Sequence, residues 1–155
     1  MNDDPDYTYM QAALEEANKA AARDEVPIGA VLVHIESGEI VARNGNRTRE
    51  LNDPSAHAEV LVIREMCART GAQRIPEYDL YVTLEPCTMC AAAISFARIR
   101  KLVYGAADAK GGGVDHGAQF YSQPTCHHKP QVFSGIAADI CGDTLKNFFK
   151  AKRKG

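Results

Sequence analysis

Apolar positions recur three and four residues apart between residues 5 and 23, with Met10, Leu14, Ala17 and Ala21 on one stripe, which predicts a helix from about Pro5 to Arg23. Asp4 before Pro5, or Asp6, can cap its start. The period then shortens. "IGAVLVHI" (28–35) and "IVARN" (40–44) read as strands joined through Ser37-Gly38, a hairpin turn. A second helix begins near Pro54, carries Val60, Ile63 and Cys67 on one face and ends at Gly71. "DLYVTL" (79–84) is continuously apolar, as in a strand buried on both faces. A short apolar helix over Cys87–Phe96, a strand "KLVYG" (101–105) and a weaker strand "QVF" (131–133) follow. A last helix starts near Ala137 and is expected to turn Ile140, Leu145, Phe148 and Phe149 inward, with its lysines elsewhere. This order predicts a three-layer α/β/α sandwich around one mixed five-stranded sheet, in a single domain spanning residues 1–155.

Composition narrows the class. The 155 residues are 45% hydrophobic and 25% charged, ordinary for a globular chain, and no apolar run approaches the roughly 20 residues a membrane helix needs. The five cysteines (67, 87, 90, 126 and 141) are an odd number, which argues for thiols or metal ligands over a disulfide framework. "MNDDPDYTYM" lacks the basic and then apolar character of a signal peptide, so a cytoplasmic location without membrane association is expected. The net charge of −2 does not by itself indicate a nucleic-acid partner. It is unevenly placed, however: residues 1–25 hold seven acids against Lys19 and Arg23, while "KNFFKAKRKG" holds five bases and no acid. On charge alone that basic end reads as a solvated face.

The chemistry lies in two short stretches. Cys87 and Cys90 are three apart at a predicted helix start behind Pro86, roughly 60° around the helix, so both sulfurs leave one face. Unpaired N–H groups at such a start favour thiolate over thiol. Two thiolates and the imidazole of His57 nearly neutralise Zn²⁺ and leave a fourth position open, the catalytic pattern rather than the closed structural one. His57 and Glu59 diverge by roughly 200° along a helix flank and converge only at its N-terminal tip. Asp53-Pro54-Ser55 puts them at such a tip. Glu59 would then work as a base on a zinc-bound water, which thiolate donation leaves less acidic than at an all-histidine site.

His-x-Glu with Pro-Cys-x-x-Cys is the signature of zinc-dependent nucleobase deaminases. Together with "RDEVPIGAVLV", "NGNRTRELNDPSAHAEV", "DLYVTLEPCTMCAAAISFARIRKLVYGAADAKGG" and "FFKAKR", it makes the chain resemble the cytidine-deaminase-like superfamily, and most closely the bacterial tRNA adenosine deaminases. That resemblance implies conversion of adenosine to inosine at the wobble position of a tRNA anticodon loop, with one zinc per subunit of a homodimer. It implies His57, Cys87 and Cys90 as ligands, Glu59 as proton shuttle and Asn46 as the amide that holds the flipped purine. It places Asp108 and Lys110 in the loop that meets the neighbouring nucleotides, with Lys146, Lys150, Lys152 and Arg153 on the last helix as phosphate contacts. Thr88 stands where the family commonly has proline, with no expected effect on ligation. "QPTCHHKP" (123–130) differs from the family's commoner Asn-His form.

Cys126, His127 and His128 read as packing rather than a second metal site, and Cys67 and Cys141 as core; His34 and His116 receive no role. Three other functions share parts of the pattern. A free-base or nucleoside deaminase of guanine or cytosine type has no need of a basic terminal helix. A riboflavin-pathway deaminase normally has a wider cysteine gap. A zinc-stabilised RNA-binding module without activity has no use for Glu59.

Overall fold

Strand alternation organises the molecule. In the computed structural model, which describes residues 4–154, β1 (Gly29–His34) turns Ala30 and Leu32 to one face of the sheet and Val31 and Val33 to the other, all buried. Such a strand needs cover on both sides. α2 (Ala58–Thr70) and α3 (Thr88–Phe96) supply it on the first face, and α1 (Pro5–Ala22) and α4 (Ala138–Lys154) on the second. The sheet order is β2-β1-β3-β4-β5, with β2 Ile40–Gly45, β3 Tyr78–Leu84, β4 Lys101–Ala106 and β5 Gln131–Ser134. β1 pairs antiparallel with β2 and β3, whereas β3, β4 and β5 run parallel. This is the three-layer α/β/α arrangement around one mixed sheet that the pattern predicts.

The local signals act as expected at most boundaries. Asp4 caps α1, accepting from Asp6 N at 2.9 Å. Gly38 takes φ +73° in the hairpin turn, and Gly71 closes α2 at φ +69°. Of the N-terminal acidic run, Asp3 lies outside the described residues. Among the described residues no helix is long and apolar enough to cross a membrane.

Two helix faces differ from expectation. α2 begins at Ala58, because residues 54–55 form a turn and His57 is extended, and its buried arc follows Ala58, Val62 and Met66. Ile63 is buried, but Val60 and Cys67 are only half-buried. The helix is rotated so that its first turn meets α3. In α4 the inward residues are Cys141, buried against Gly105, and the half-buried Leu145 and Phe148. Ile140 is 52% and Phe149 45% exposed, so neither turns inward. Spacings of four and three put Cys141, Leu145 and Phe148 on one line and leave Ile140 and Phe149 at its edges.

Gly29 and Gly45 face each other in the β1–β2 register, and α1 lies directly on both. A Cβ on Gly29 would sit 1.9 Å from the Ala13 carbonyl oxygen, and one on Gly45 2.6 Å from that of Glu16. Gly29→Ala is therefore expected to destabilise the fold by about 2–3 kcal/mol. The effect would be read as a lower urea midpoint at unchanged slope; an unchanged midpoint would mean that α1 does not pack here as described.

Candidate active site

Two helix starts meet at one point. His57 is the N-cap of α2, extended at φ −75° and ψ 152°, and Cys87 is the N-cap of α3 at φ −69° and ψ 173°. Cys90 lies one turn into α3 and is completely buried. Strands β1 and β3 are adjacent, and both helices cover the same face of the sheet, so residues 30 apart in sequence come together. The His57 Nδ1 atom lies 3.6 Å from Cys87 Sγ and 3.4 Å from Cys90 Sγ. All three donor atoms fall within 4.8 Å of one another.

The donor set fits zinc. A tetrahedral centre with Zn–S of about 2.3 Å and Zn–N of about 2.0 Å holds sulfur and nitrogen about 3.5 Å apart. The observed separations of 3.4 and 3.6 Å match that spacing. The electrostatics agree. Its neighbour Cys90, opposed by burial and assisted by His57, holds the Cys87 thiol far below the ordinary range. The Cys90 thiol is driven up by Cys87 and by burial. Cys87 also raises the His57 imidazole. Two sulfurs this close cannot both ionise unless a cation lies between them.

Glu59 occupies the second position of α2 and is 3% exposed. Burial pushes its carboxyl up to about 7. Its Oε1 is buried with no hydrogen-bond partner among the described residues. An orphaned polar atom of this kind has to be matched by something that binds there. A carboxyl near neutrality beside three metal donors has the chemistry of a proton carrier.

The surrounding residues separate into groups that sequence alone does not distinguish. Asn46 is buried, and its Oδ1 accepts from Ala58 N at 2.8 Å, providing the α2 cap that His57 does not. Of the donor and acceptor expected of this amide, the acceptor thus already serves the helix, and Nδ2 is the group left for a base. Asp108, Lys110, Lys146, Phe149 and Arg153 line one cleft of about 600 Å³, whose lining includes none of His57, Cys87, Cys90, Glu59 and Asn46. Asp108 also folds its own loop, accepting from Lys110 N at 3.2 Å and Gly111 N at 2.9 Å. Lys150 is exposed on α4 but does not line the cleft. Lys152 is ion-paired with Asp24 and lies 5.7 Å over the Phe148 ring, so it ties α4 to the end of α1.

Sequence reasoning misses Glu25, Glu85 and His116. Glu25, 1% exposed, accepts from Arg49 N at 3.2 Å and Glu50 N at 2.8 Å and shapes the loop behind Asn46. Glu85 accepts from several amides of the loop after β4 and from His116. Burial opposes its charge, but the Asp108 amide, His116 and the amides of Asp115 and Val114 hold the carboxyl below the usual range. One signal was available: each acid sits directly beside apolar residues and a proline, in "EVPIG" and "TLEPC". Cys126, His127 and His128 form no metal cluster with any residue described. Instead Cys126 lies 3.7 Å from Ser95 Oγ, and His128 Nε2 2.8 Å from the Ile99 carbonyl.

Comparison with known proteins agrees with this geometry. Residues 3–106 match the family model described as the cytidine and deoxycytidylate deaminase zinc-binding region. A tRNA-specific adenosine deaminase of Agrobacterium fabrum is 62% identical over 145 residues, 94% of either chain. A structure solved in work on A-to-I editing by tRNA:A34 deaminases at the wobble position is 62% identical and superposes with a TM-score of 0.86, covering 89% of this chain and 99% of its own. A guanine deaminase from Nitrosomonas europaea, 21% identical, shares the fold with a TM-score of 0.80 over 92% of this chain and 83% of its own.

Cys90→Ser and Cys87→Ser are each expected to lower bound zinc, measured by elemental analysis, to below about a tenth of stoichiometry. The melting temperature should fall with it, since a ligand held only by the folded state stabilises that state. Glu59→Gln should keep its zinc. Equal metal content in all three variants would mean that the site lies elsewhere.

Proposed function

Because the chain belongs to the zinc-binding deaminase family and, within it, to the tRNA-specific adenosine deaminases, we propose that it converts adenosine to inosine at the wobble position of a tRNA anticodon loop. The observation that carries this reading is the buried Glu59 carboxyl, with its Oε1 unpartnered, beside the His57–Cys87–Cys90 cluster. His57 Nδ1 and the two sulfurs would hold the metal. When bound, zinc supplies Lewis acidity that brings water toward hydroxide near neutral pH. Glu59 accepts the proton from water as it adds to C6 of adenine and passes it to N1, then carries the proton of the new hydroxyl to the departing amine, leaving C6=O. Adenosine and water thus give inosine and ammonia, and Glu59 ends as it began. Asn46 Nδ2 donates to an acceptor on the purine edge, which orients the base.

Features outside the metal cluster suit a looped RNA. The cleft offers Lys110, Lys146 and Arg153 for phosphates and a partly exposed Phe149 ring on which a base can stack. Lys150 adds a further exposed charge on the same helix. An anticodon loop is already partly unstacked, so extruding its base costs less than opening a duplex. A tRNA substrate and five unpaired cysteines fit a cytoplasmic enzyme. One domain would carry the whole reaction.

A homodimer also belongs to this reading. α3 leaves Met89 39% and Phe96 64% exposed. Seven positions apart, they share one apolar stripe on the helix that carries Cys90. A second copy covering that stripe would bury it and enlarge the surface that grips the RNA.

Zinc-loaded protein is expected to form inosine in an arginine-tRNA anticodon stem-loop with A at the wobble position, and none from free adenosine, guanine or cytidine. Glu59→Ala should retain zinc and lose turnover by at least about a thousandfold. Turnover of guanine instead would favour the free-base activity that the shared guanine deaminase fold allows. An active Glu59→Ala would remove the shuttle from the mechanism. Phe96→Asp should shift the mass measured by light scattering from dimer to monomer; an unchanged mass would rule out the α3 stripe as the contact.

A further inference from the structure

Glu85 directly follows β3, two residues before Cys87, and its carboxylate is the centre of a wrapped loop. Oε1 accepts from Asp108 N at 3.0 Å, and Oε2 from Val114 N, Asp115 N and His116 N at 3.2, 2.9 and 3.1 Å. The ring of His116 closes the set, donating from Nδ1 to Oε1 at 2.8 Å. Five donors saturate the roughly four lone-pair sites of a carboxylate. Glu85 therefore has no capacity left for substrate.

The loop is drawn tight around it. A Cβ on Gly112 would lie 2.4 Å from the Glu85 carboxyl carbon, and one on Gly113 2.5 Å from Thr88 N. Gly113 N also donates to the Pro86 carbonyl at 2.8 Å, and Tyr104 OH donates to Asp115. The segment that delivers Cys87 and the loop that carries Asp108 and Lys110 are thus one hydrogen-bonded unit. Asp108 is anchored through its amide while its carboxylate turns the next three residues. Lys110 is left exposed at the tip, on the rim of the cleft.

We propose that Glu85, held by His116, is a positioning residue for substrate selection: it fixes Asp108 and Lys110 relative to the metal donors, so that the nucleotides beside the target adenosine are read at a set distance from it. This rests on the tRNA-editing reading above. Glu85 acts through the loop and touches neither substrate nor metal.

The test combines steady-state kinetics on the wobble-A stem-loop with amide hydrogen exchange. His116 is partly exposed, so His116→Ala removes one donor with little risk to folding. It should raise KM about tenfold, the loss of one charge-assisted hydrogen bond, with a smaller change in kcat and zinc content unchanged. His116→Asn, whose amide can replace the Nδ1 donor, should restore most of the loss. In a Lys110→Ala background, His116→Ala should add little, because both act through the same loop. In Glu85→Gln the amides of Asp108, Val114, Asp115 and His116 should exchange at least about tenfold faster while those of β1 and β3 keep their protection. The proposal is overturned if His116→Ala acts on kcat or zinc alone, if its effect adds fully to that of Lys110→Ala, or if exchange is unchanged or rises throughout the fold. A wild-type protein that makes no inosine overturns the editing reading, and the assignment of selection with it. An active wild type with an indifferent His116→Ala overturns the positioning role alone.

Discussion

The structure depends on bringing two sulfurs and an imidazole to within 4.8 Å of one another inside the protein. Such a group can close around a cation only if its donors are held in place by backbone that will not relax. The fold provides this with two helix N-termini on the same face of adjacent strands. At each N-terminus the capping residue also contributes a donor atom to the cluster, His57 on α2 and Cys87 on α3. A cap position is extended rather than helical, so its side chain projects past the helix end, where the helix dipole favours an anionic sulfur. Glu59 follows His57 by two residues and reaches the same space because it is in the first turn.

The price of using His57 as a cap is that it does not cap. Asn46, the residue after β2, fills that need by accepting the Ala58 amide. The metal-ligand helix and the residue proposed to hold the base are thereby joined by one hydrogen bond of 2.8 Å. A change at Asn46 acts on both at once, and its effect on binding cannot be separated from its effect on the start of α2.

The loops around the site are organised from inside by carboxylates. Glu25 gathers the amides of Arg49 and Glu50, and Glu85 those of Asp108 and residues 114–116. A buried carboxylate with several amide donors holds irregular backbone that no ladder could hold. Both loops are thus ordered without extra secondary structure, and their outer surfaces remain available to a ligand. On the far side Asp24 binds Arg49 and Lys152, linking the Glu25 loop to α4. The basic helix, the Asn46 loop and the end of α1 accordingly form one block beside the cleft.

Much of this was legible in the chain itself. Alternation and 3.6-residue spacing locate the strands and helices, because each element must bury one side. His57, Cys87 and Cys90 could be singled out as one cluster because the chain turns just before each helix, at Asp53-Pro54-Ser55 and Pro86. The inward faces of α2 and α4 were less legible: both have apolar residues around much of their circumference, and only the rotation imposed by neighbours selects Val62 over Val60 and Cys141 over Ile140. His116 was not legible, and Glu85 only through its place between Leu84 and Pro86. Their partners lie 23 to 31 residues away, and periodicity carries no information about which distant amides will surround a carboxylate. The sequence alone determined the elements and the chemistry of the site, since both follow from short-range spacing. Tertiary structure alone decided which polar groups satisfy one another, because that depends on how strands order and helices rotate once the apolar faces have been buried.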